Sequence, residues 1–280
     1  MLLIADSGST KTQWEIIVNG NTSSVFTTGT NPFYQTSEDI IKIIQAELLP
    51  QLKSLPDKIF FYGAGISQPD KQQIVKNALQ TVFPNAESEV EHDLLAAARA
   101  TCGKTFGITC IIGTGSNTCL YDGSNIVDNV PNLGFILGDE GSGGYFGRKL
   151  LQAYFYREMP ADLKKALEAK HDMQRDHVLN AVHGTNMPNQ VVASYAGFLT
   201  DNNAHPYICN MLQDGFHEFL ERHVLKYEGH QTLPIHFIGS IACLNQTVLF
   251  EVMEKLKLKR GITLKSPMEG LMQYHLSGNS

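Results

Sequence analysis

The sequence contains no C-x-x-C pair. Its five cysteines, Cys102, Cys110, Cys119, Cys209 and Cys243, are odd in number and scattered. That spacing argues against a disulfide framework, a zinc site or an iron–sulfur cluster, and it reads the thiols as small buried hydrophobes of a protein in a reducing cytoplasm. No run is long and apolar enough to cross a bilayer. The opening residues Leu2-Leu3-Ile4-Ala5 stop at Asp6, too soon for the core of a signal peptide. Basic excess is lacking too: the net charge of −6 argues against broad binding to nucleic acid or an anionic membrane. A nucleotide ligand stays open, because backbone N–H groups and a metal ion can hold phosphates. There is no Walker-type G-x-x-x-x-G-K-[ST] loop. Gly103-Lys104-Thr105 lacks the upstream glycine and follows a helical pattern instead of preceding one.

What is present is a chain of 280 residues with 42% hydrophobic and 18% charged content, enough for two ordinary α/β domains with real cores. Strand patterns cover 2–5, 12–18 and 24–28. An amphipathic helix is expected over Ser37–Leu52, with Ile40, Ile41, Ile43, Ile44 and Leu48 on its apolar side. A strand (58–62), a helix (69–82), a strand (88–91) and a helix (93–102) follow, giving βββαβαβα. The pattern then restarts. Strands are expected at 108–112, 118–121 and 125–130, a long helical region from 142 to about 224, then a strand (234–238), a helix to about 256, a short strand (262–264) and a last helix (267–276). The halves read as one unit used twice, 1–106 and 107–280, the second with a large helical insertion. The boundary falls near Gly103–Gly107, and the last helix is a candidate to pack back on the first half.

Each half places a Gly/Ser/Thr turn after its first strand: Ser7-Gly8-Ser9-Thr10 and Gly113-Thr114-Gly115-Ser116-Asn117. Such a turn offers several N–H groups and hydroxyls at one point, and glycine lets a ligand approach the backbone. A pair of them can grip a polyphosphate. Asp6 precedes the first turn and is suited to hold Mg²⁺ through water. Lys11 adds a point charge. Taken singly, either turn reads as an ordinary hairpin.

Together, Asp6-Ser7-Gly8-Ser9-Thr10-Lys11-Thr12, Gly113-Thr114-Gly115-Ser116-Asn117, Gly138-Asp139-Glu140-Gly141-Ser142 and Gly239-Ser240 resemble the superfamily of sugar kinases, heat-shock chaperone ATPases and actin. Within it they most resemble the N-acetylglucosamine kinases grouped with the BadF/BadG/BcrA/BcrD-type ATPases, in the same order over nearly the whole chain. The resemblance implies two ribonuclease-H-like domains flanking an ATP and sugar cleft that closes on the sugar, with its hinge near Gly103–Gly107. It implies ATP and Mg²⁺ as cofactors, with Ser7, Gly8, Ser9, Thr10, Lys11, Thr114 and Gly115 at the phosphates, and Gly197, Gly239 and Ser240 at the adenosine. It places the sugar against Asn31, Pro32, Asn117, Gly134 and Asp139.

The resemblance also makes Asp93 the general base. The residue sits where a strand meets a helix, so an N-cap accounts for it equally well, and the two roles are compatible. His92 is the weaker candidate base. Asn31 and Asn117 read as turn residues when the resemblance is set aside. Glu140 is best read as an acid favouring a helix N-terminus through the dipole. The family tends to carry an aromatic near Leu133, and its absence leaves the choice among N-acetylglucosamine, glucosamine and glucose open. The histidines of the helical insertion read as surface or packing residues. The expected partners are small molecules, with neither nucleic acid nor membrane; a homodimer is compatible with the sequence, which does not fix the oligomeric state. Two rivals stand beside the kinase: an ATPase that activates a dehydratase or reductase, which would need cluster-binding cysteines, and a non-catalytic nucleotide-switched module.

Overall fold

The structure, a computed structural model, describes residues 1–8 and 10–277. It divides into two compact units. The first comprises Met1–Lys104 together with the segment from Pro267; the second is Thr105–Ser266.

The first unit opens with β1 (Leu2–Ser7), β2 (Lys11–Val18) and β3 (Asn21–Thr28), an antiparallel meander. After α1 (Ser37–Ile43), β4 (Lys58–Gly63) joins parallel to β1. After α2 (Pro69–Val82), β5 (Glu87–His92) joins parallel to β4, and α3 (Asp93–Cys102) follows. The sheet order is β3-β2-β1-β4-β5.

The second unit repeats this plan. Strands β6 (Gly107–Ile112), β7 (Ser116–Tyr121) and β8 (Ile126–Asp128) form the meander, and β9 (Ile235–Ile238) and β10 (Arg260–Leu264) join parallel to β6 and to each other. Its order, β10-β9-β6-β7-β8, is the same topology, so both sheets are ribonuclease-H-like. Between β8 and β9 lies the insertion: α4 (Gly134–Leu137), α5 (Gly143–Phe155), α6 (Ala161–Lys170), α7 (Arg175–His183), α8 (Pro188–Ser194), α9 (Ala196–Asp201) and α10 (Pro206–Arg222). Helices α11 (Ser240–Leu244) and α12 (Gln246–Lys255) link β9 to β10. The last helix, α13 (Met268–Leu276), packs on α3 and β1 of the first unit. Among the described residues, no helix is long and apolar enough to cross a membrane.

The helix expected over 37–52 is broken. It has a capping box between Thr36 and Asp39, then loosens into a π turn at Ile44–Leu48 and tightens into a 3-10 turn at Leu49–Gln51. Pro50 explains the ending, since it has no N–H to donate and its ring crowds the preceding turn. Ile40, Ile44 and Leu48 remain buried at steps of four, so the apolar face survives the change of winding. The third strand also starts earlier than its β-branched stretch implies, at Asn21, because it pairs along the whole of β2.

Strand alternation sorts the first sheet into two faces. Leu3, Ala5, Ile59 and Phe61 join the core that also holds Trp14, whose indole N–H donates to Thr27 Oγ1 at 3.0 Å. Ile4, Asp6, Phe60 and Tyr62 point the other way, in register. On that face the α13 residue His275 stacks on Phe60 with ring centroids 3.6 Å apart and meets the Tyr62 hydroxyl at 2.8 Å. Arg99 of α3 donates to the Tyr62 oxygen at 2.7 Å, which leaves the Tyr62 O–H free to donate onward to His275 Nε2. That requires a neutral imidazole. Burial, with Arg99 and Lys58 nearby, pushes the His275 pKa down to about 4; burial does the same to His236 in the second unit. Cys102, Cys110 and Cys119 are buried, as small hydrophobes should be, whereas Cys209 and Cys243, also expected to be buried, are only partly so.

Both histidines stay neutral in the fold down to about pH 4, whereas unfolded imidazoles protonate near 6.5. Stability is therefore lost as pH falls through that window. For wild-type protein, His275 is expected to account for a loss of ~2 kcal/mol between about pH 7 and about pH 5. Urea unfolding of His275→Gln should show a smaller pH difference than wild type; an equal difference contradicts the assignment.

Candidate active site

In the first unit the site forms where β1 and β5 end. Asp6 is the last residue but one of β1, on the face that α3 covers. Asp93 opens α3. The N-cap is His92, whose Nδ1 accepts the Leu95 N–H at 3.4 Å, so Asp93 is the first helical residue, not the cap expected from sequence. Its carboxylate is instead favoured in charged form by the backbone N–H groups of Asp93 and Leu94. Burial pushes the Asp93 pKa up, while His92 and those N–H groups oppose the rise. Asp6 is raised to about 6, first by burial and then by the charge of Asp93, with Lys11 opposing. Two carboxylates are thus brought together in a partly buried place. His92 spends its ring nitrogen on the cap.

The turn after β1 is closed by the Gly8 N–H on the Lys11 carbonyl at 3.0 Å. Ser9 lies outside the described residues. Thr10 and Gly8 are exposed, and Lys11 lies over the Phe26 ring at 4.9 Å. The Ser7 hydroxyl is buried and committed: it meets Thr12 Oγ1 at 2.7 Å and accepts the Thr30 N–H at 3.0 Å. That bond anchors the loop carrying Asn31 to the end of β1. Asn31 Oδ1 accepts the Phe33 N–H at 3.0 Å, and the Asn31 N–H donates to Gln35 Oε1 at 2.7 Å. Pro32 is buried beside it.

In the second unit the corresponding turn, Gly113–Gly115, joins β6 to β7, and the Gly113 N–H donates to Gly115 O at 2.9 Å. The start of α5 braces it. Gly143 and Gly144 N–H groups donate to the carbonyls of Gly113 and Thr114, at 2.8 and 2.9 Å, while Ser142 Oγ caps the Tyr145 N–H at 3.1 Å. Two donors that a helix start leaves over are thereby used on the turn. Among the described residues, none accepts from the N–H groups of Thr114 or Gly115. Asp139 lies against Gly115, at a left-handed φ of 58°, and its Oδ1 accepts from the Ser116 N–H (3.1 Å) and Asn132 Nδ2 (2.9 Å). Burial raises its pKa, opposed by the Ser116 N–H.

Asn132 was not legible as a site residue. Its amide also donates to Ser116 O, and its Oδ1 accepts the Gly134 N–H at 2.5 Å. The sequence shows only an Asn before Leu-Gly, a plain turn signal. Gly134 has φ +71°. Asn117 Oδ1 accepts from the Thr118 N–H at 2.9 Å and from Asn129 at 3.2 Å. Glu140 corrects the helix-dipole reading. It is buried and paired with His223 Nε2 and Arg222 Nη1, both at 3.1 Å. Burial lifts its pKa, but its own N–H, His223 and Arg222 outweigh that and leave it lowered. His223 is accordingly a buried partner, not a surface histidine.

Gly239, φ +122°, ends β9; a Cβ there would lie 2.3 Å from the Ile112 carbonyl, so only glycine lets β9 press on the end of β6. Ser240 beside it is exposed, as is Gly197 near the start of α9. These positions, the Gly113–Gly115 turn and Asp139 all belong to the second unit; Asp6, Asn31 and Asp93 belong to the first. A hard divalent cation that keeps most of its waters suits the Asp6 carboxylate, a hard oxygen donor.

No family model matches the chain, and no curated protein does. Solved structures do. A protein of Porphyromonas gingivalis that carries the provisional name N-acetylglucosamine kinase is 39% identical, with all of both chains covered and a TM-score of 0.93. A Chromobacterium violaceum protein with the same provisional name is 17% identical over 98% of each chain, TM-score 0.72. A ROK family glucokinase of Streptomyces griseus, solved with glucose and AMPPNP, is 13% identical over 95% of each chain, TM-score 0.57. The last two share the fold. The full-length likeness to the first, together with the duplicated sheet order and the braced Gly-Thr-Gly-Ser turn, places this chain in the N-acetylglucosamine kinase-like family of BadF/BadG/BcrA/BcrD-type ATPases.

Proposed function

We propose that this protein is a sugar kinase, which transfers the γ-phosphoryl group of ATP to the 6-hydroxyl of N-acetylglucosamine or a related amino sugar. The observation that carries this reading is the placing of two partly buried carboxylates at strand ends of one sheet, Asp6 near the end of β1 and Asp93 at the first position of α3 directly after β5. The family membership and the paired glycine turns support it.

Asp93 is the general base in this reading. It orients the sugar hydroxyl and accepts its proton as the new P–O bond forms and ADP leaves. Its bonds to the first N–H groups of α3 fix one side of the carboxylate. Asp6 holds Mg²⁺ through water, with Lys11 near. The metal neutralises charge on the phosphates when bound. Gly8, Ser9 and Thr10, with the N–H groups of Thr114 and Gly115, receive phosphate oxygens. Gly197, Gly239 and Ser240 take the adenosine. Asn31, Pro32, Asn117, Gly134 and Asp139 form the sugar's surroundings. Ser7 acts from behind, fixing the Asn31 loop.

Three outcomes are expected. Asp93→Asn should lower kcat by ~10²–10⁴-fold while ATP affinity holds, measured in a coupled ADP-release assay and by nucleotide titration; full sugar-dependent turnover would remove Asp93 from the role. A carboxylate raised to about 6 is ionised only above that pH, so kcat/KM for MgATP should fall below about pH 6 and be flat above it. A profile without that acid limb would contradict the raised pKa of Asp6 or its role in holding the metal. Across a panel of amino sugars and hexoses, N-acetylglucosamine should raise ADP release most. Release indifferent to every sugar would favour the nucleotide-switched module instead.

A further inference from the structure

A cavity of about 480 Å³ lies in the second unit, outside the residues assigned to nucleotide, metal and sugar. It is walled by Leu151 and Phe155 of α5, Val178 of α7 and Val192 of α8, and is also lined by Arg148 and Arg175. Gly147 makes it possible: a Cβ there would fall 1.9 Å from the Val192 carbonyl, so the α5–α8 approach that shapes one wall needs glycine. The volume is in the range of small-molecule sites.

Its charge is one-sided. None of the described lining residues is acidic. Arg175 meets only its sequence neighbour Asp176, at 3.2 Å with both side chains mostly exposed, a pairing of little strength. Arg148 donates one bond, from Nη1 to the Phe135 carbonyl at 3.0 Å, and lies beside the Tyr145 ring. A guanidinium has five N–H donors, so Arg148 retains capacity for an acceptor. Apolar walls with two cations select a ligand that has an apolar body and a negative group, because a neutral apolar molecule would forgo the charge-assisted hydrogen bonds.

We propose that this cavity binds a small organic anion with an apolar body, its anionic group held by Arg148 and Arg175. Binding has a route to the site described above. Arg148 holds the Phe135 carbonyl, in the segment between Gly134 and Asp139, and its charge acts on Asp139. An anion drawing on Arg148 competes with that hold. Only this effect on turnover rests on the kinase reading; the binding does not.

The test is calorimetric titration of the whole chain, without ATP or sugar, using phenylbutyrate as the probe and phenylbutanol as its uncharged counterpart. Arg175→Glu and Leu179→Glu alter two residues of α7 that line the cavity from its exposed side, and circular dichroism checks that each variant is folded. Phenylbutyrate should bind saturably, with affinity about tenfold or more above that of phenylbutanol and about tenfold or more above that in either variant. No saturable binding, equal binding of the alcohol, or folded variants that bind as wild type would each overturn the proposal. Since catalysis is not measured, a failure here is separate from a failure of the kinase reading.

Discussion

The account depends on one electrostatic constraint: Asp6 and Asp93 share a partly buried corner of the first unit. Two carboxylates there cannot both ionise at no cost: burial first, and then the charge of Asp93, raises the pKa of Asp6. The fold enforces the closeness. Asp6 must face the α3 side because β1 alternates and Leu3 and Ala5 are claimed by the opposite core. Asp93 must begin α3 because β5 ends at His92, whose side chain caps the helix. In the kinase reading, a divalent cation at Asp6 would relieve the repulsion and the sugar hydroxyl would lie beside Asp93. The physical logic of the kinase reading is that the corner is most comfortable when both are present.

The second unit applies a different device at the matching place. Its turn is braced by hydrogen bonds from the start of α5 and by Asp139, which accepts from Ser116 and Asn132. This explains why Gly-Thr-Gly-Ser-Asn and Gly-Asp-Glu-Gly-Ser occur together: Asp139 of the second motif accepts the Ser116 N–H of the first, and Gly143 and Gly144, just after the second motif, donate to the carbonyls of Gly113 and Thr114. Glu140 then ties the brace to α10 through His223 and Arg222. Much of what reads as ligand chemistry in these motifs is structural support, placed so that N–H groups of the turn stay available.

The repeat of three strands, helix, strand, helix, strand, helix was legible because period-two and helical patterns restart after Gly103. The turns and Asp6 were legible because glycine and an acid at strand ends are local signals. Long-range partners were not. Nothing near Asn132 announces Asp139, and nothing in α10 announces that His223 meets Glu140. The loosening of α1 was hidden because its apolar spacing of four persists through the π turn. The N-cap was misplaced by one residue because Asp outranks His as a cap by statistics, whereas here the strand runs one residue further and hands the task to His92.

The most direct measurement is a carboxyl-carbon NMR titration of Asp6 and Asp93, in protein alone and with Mg²⁺ and a non-hydrolysable ATP analogue. The account expects Asp6 to titrate near 6 in the free protein and to move well down when metal and nucleotide bind. If Asp6 instead titrates like an isolated surface carboxylate and ignores both additions, it neither lies in a buried corner with Asp93 nor holds the metal, and the central claim fails.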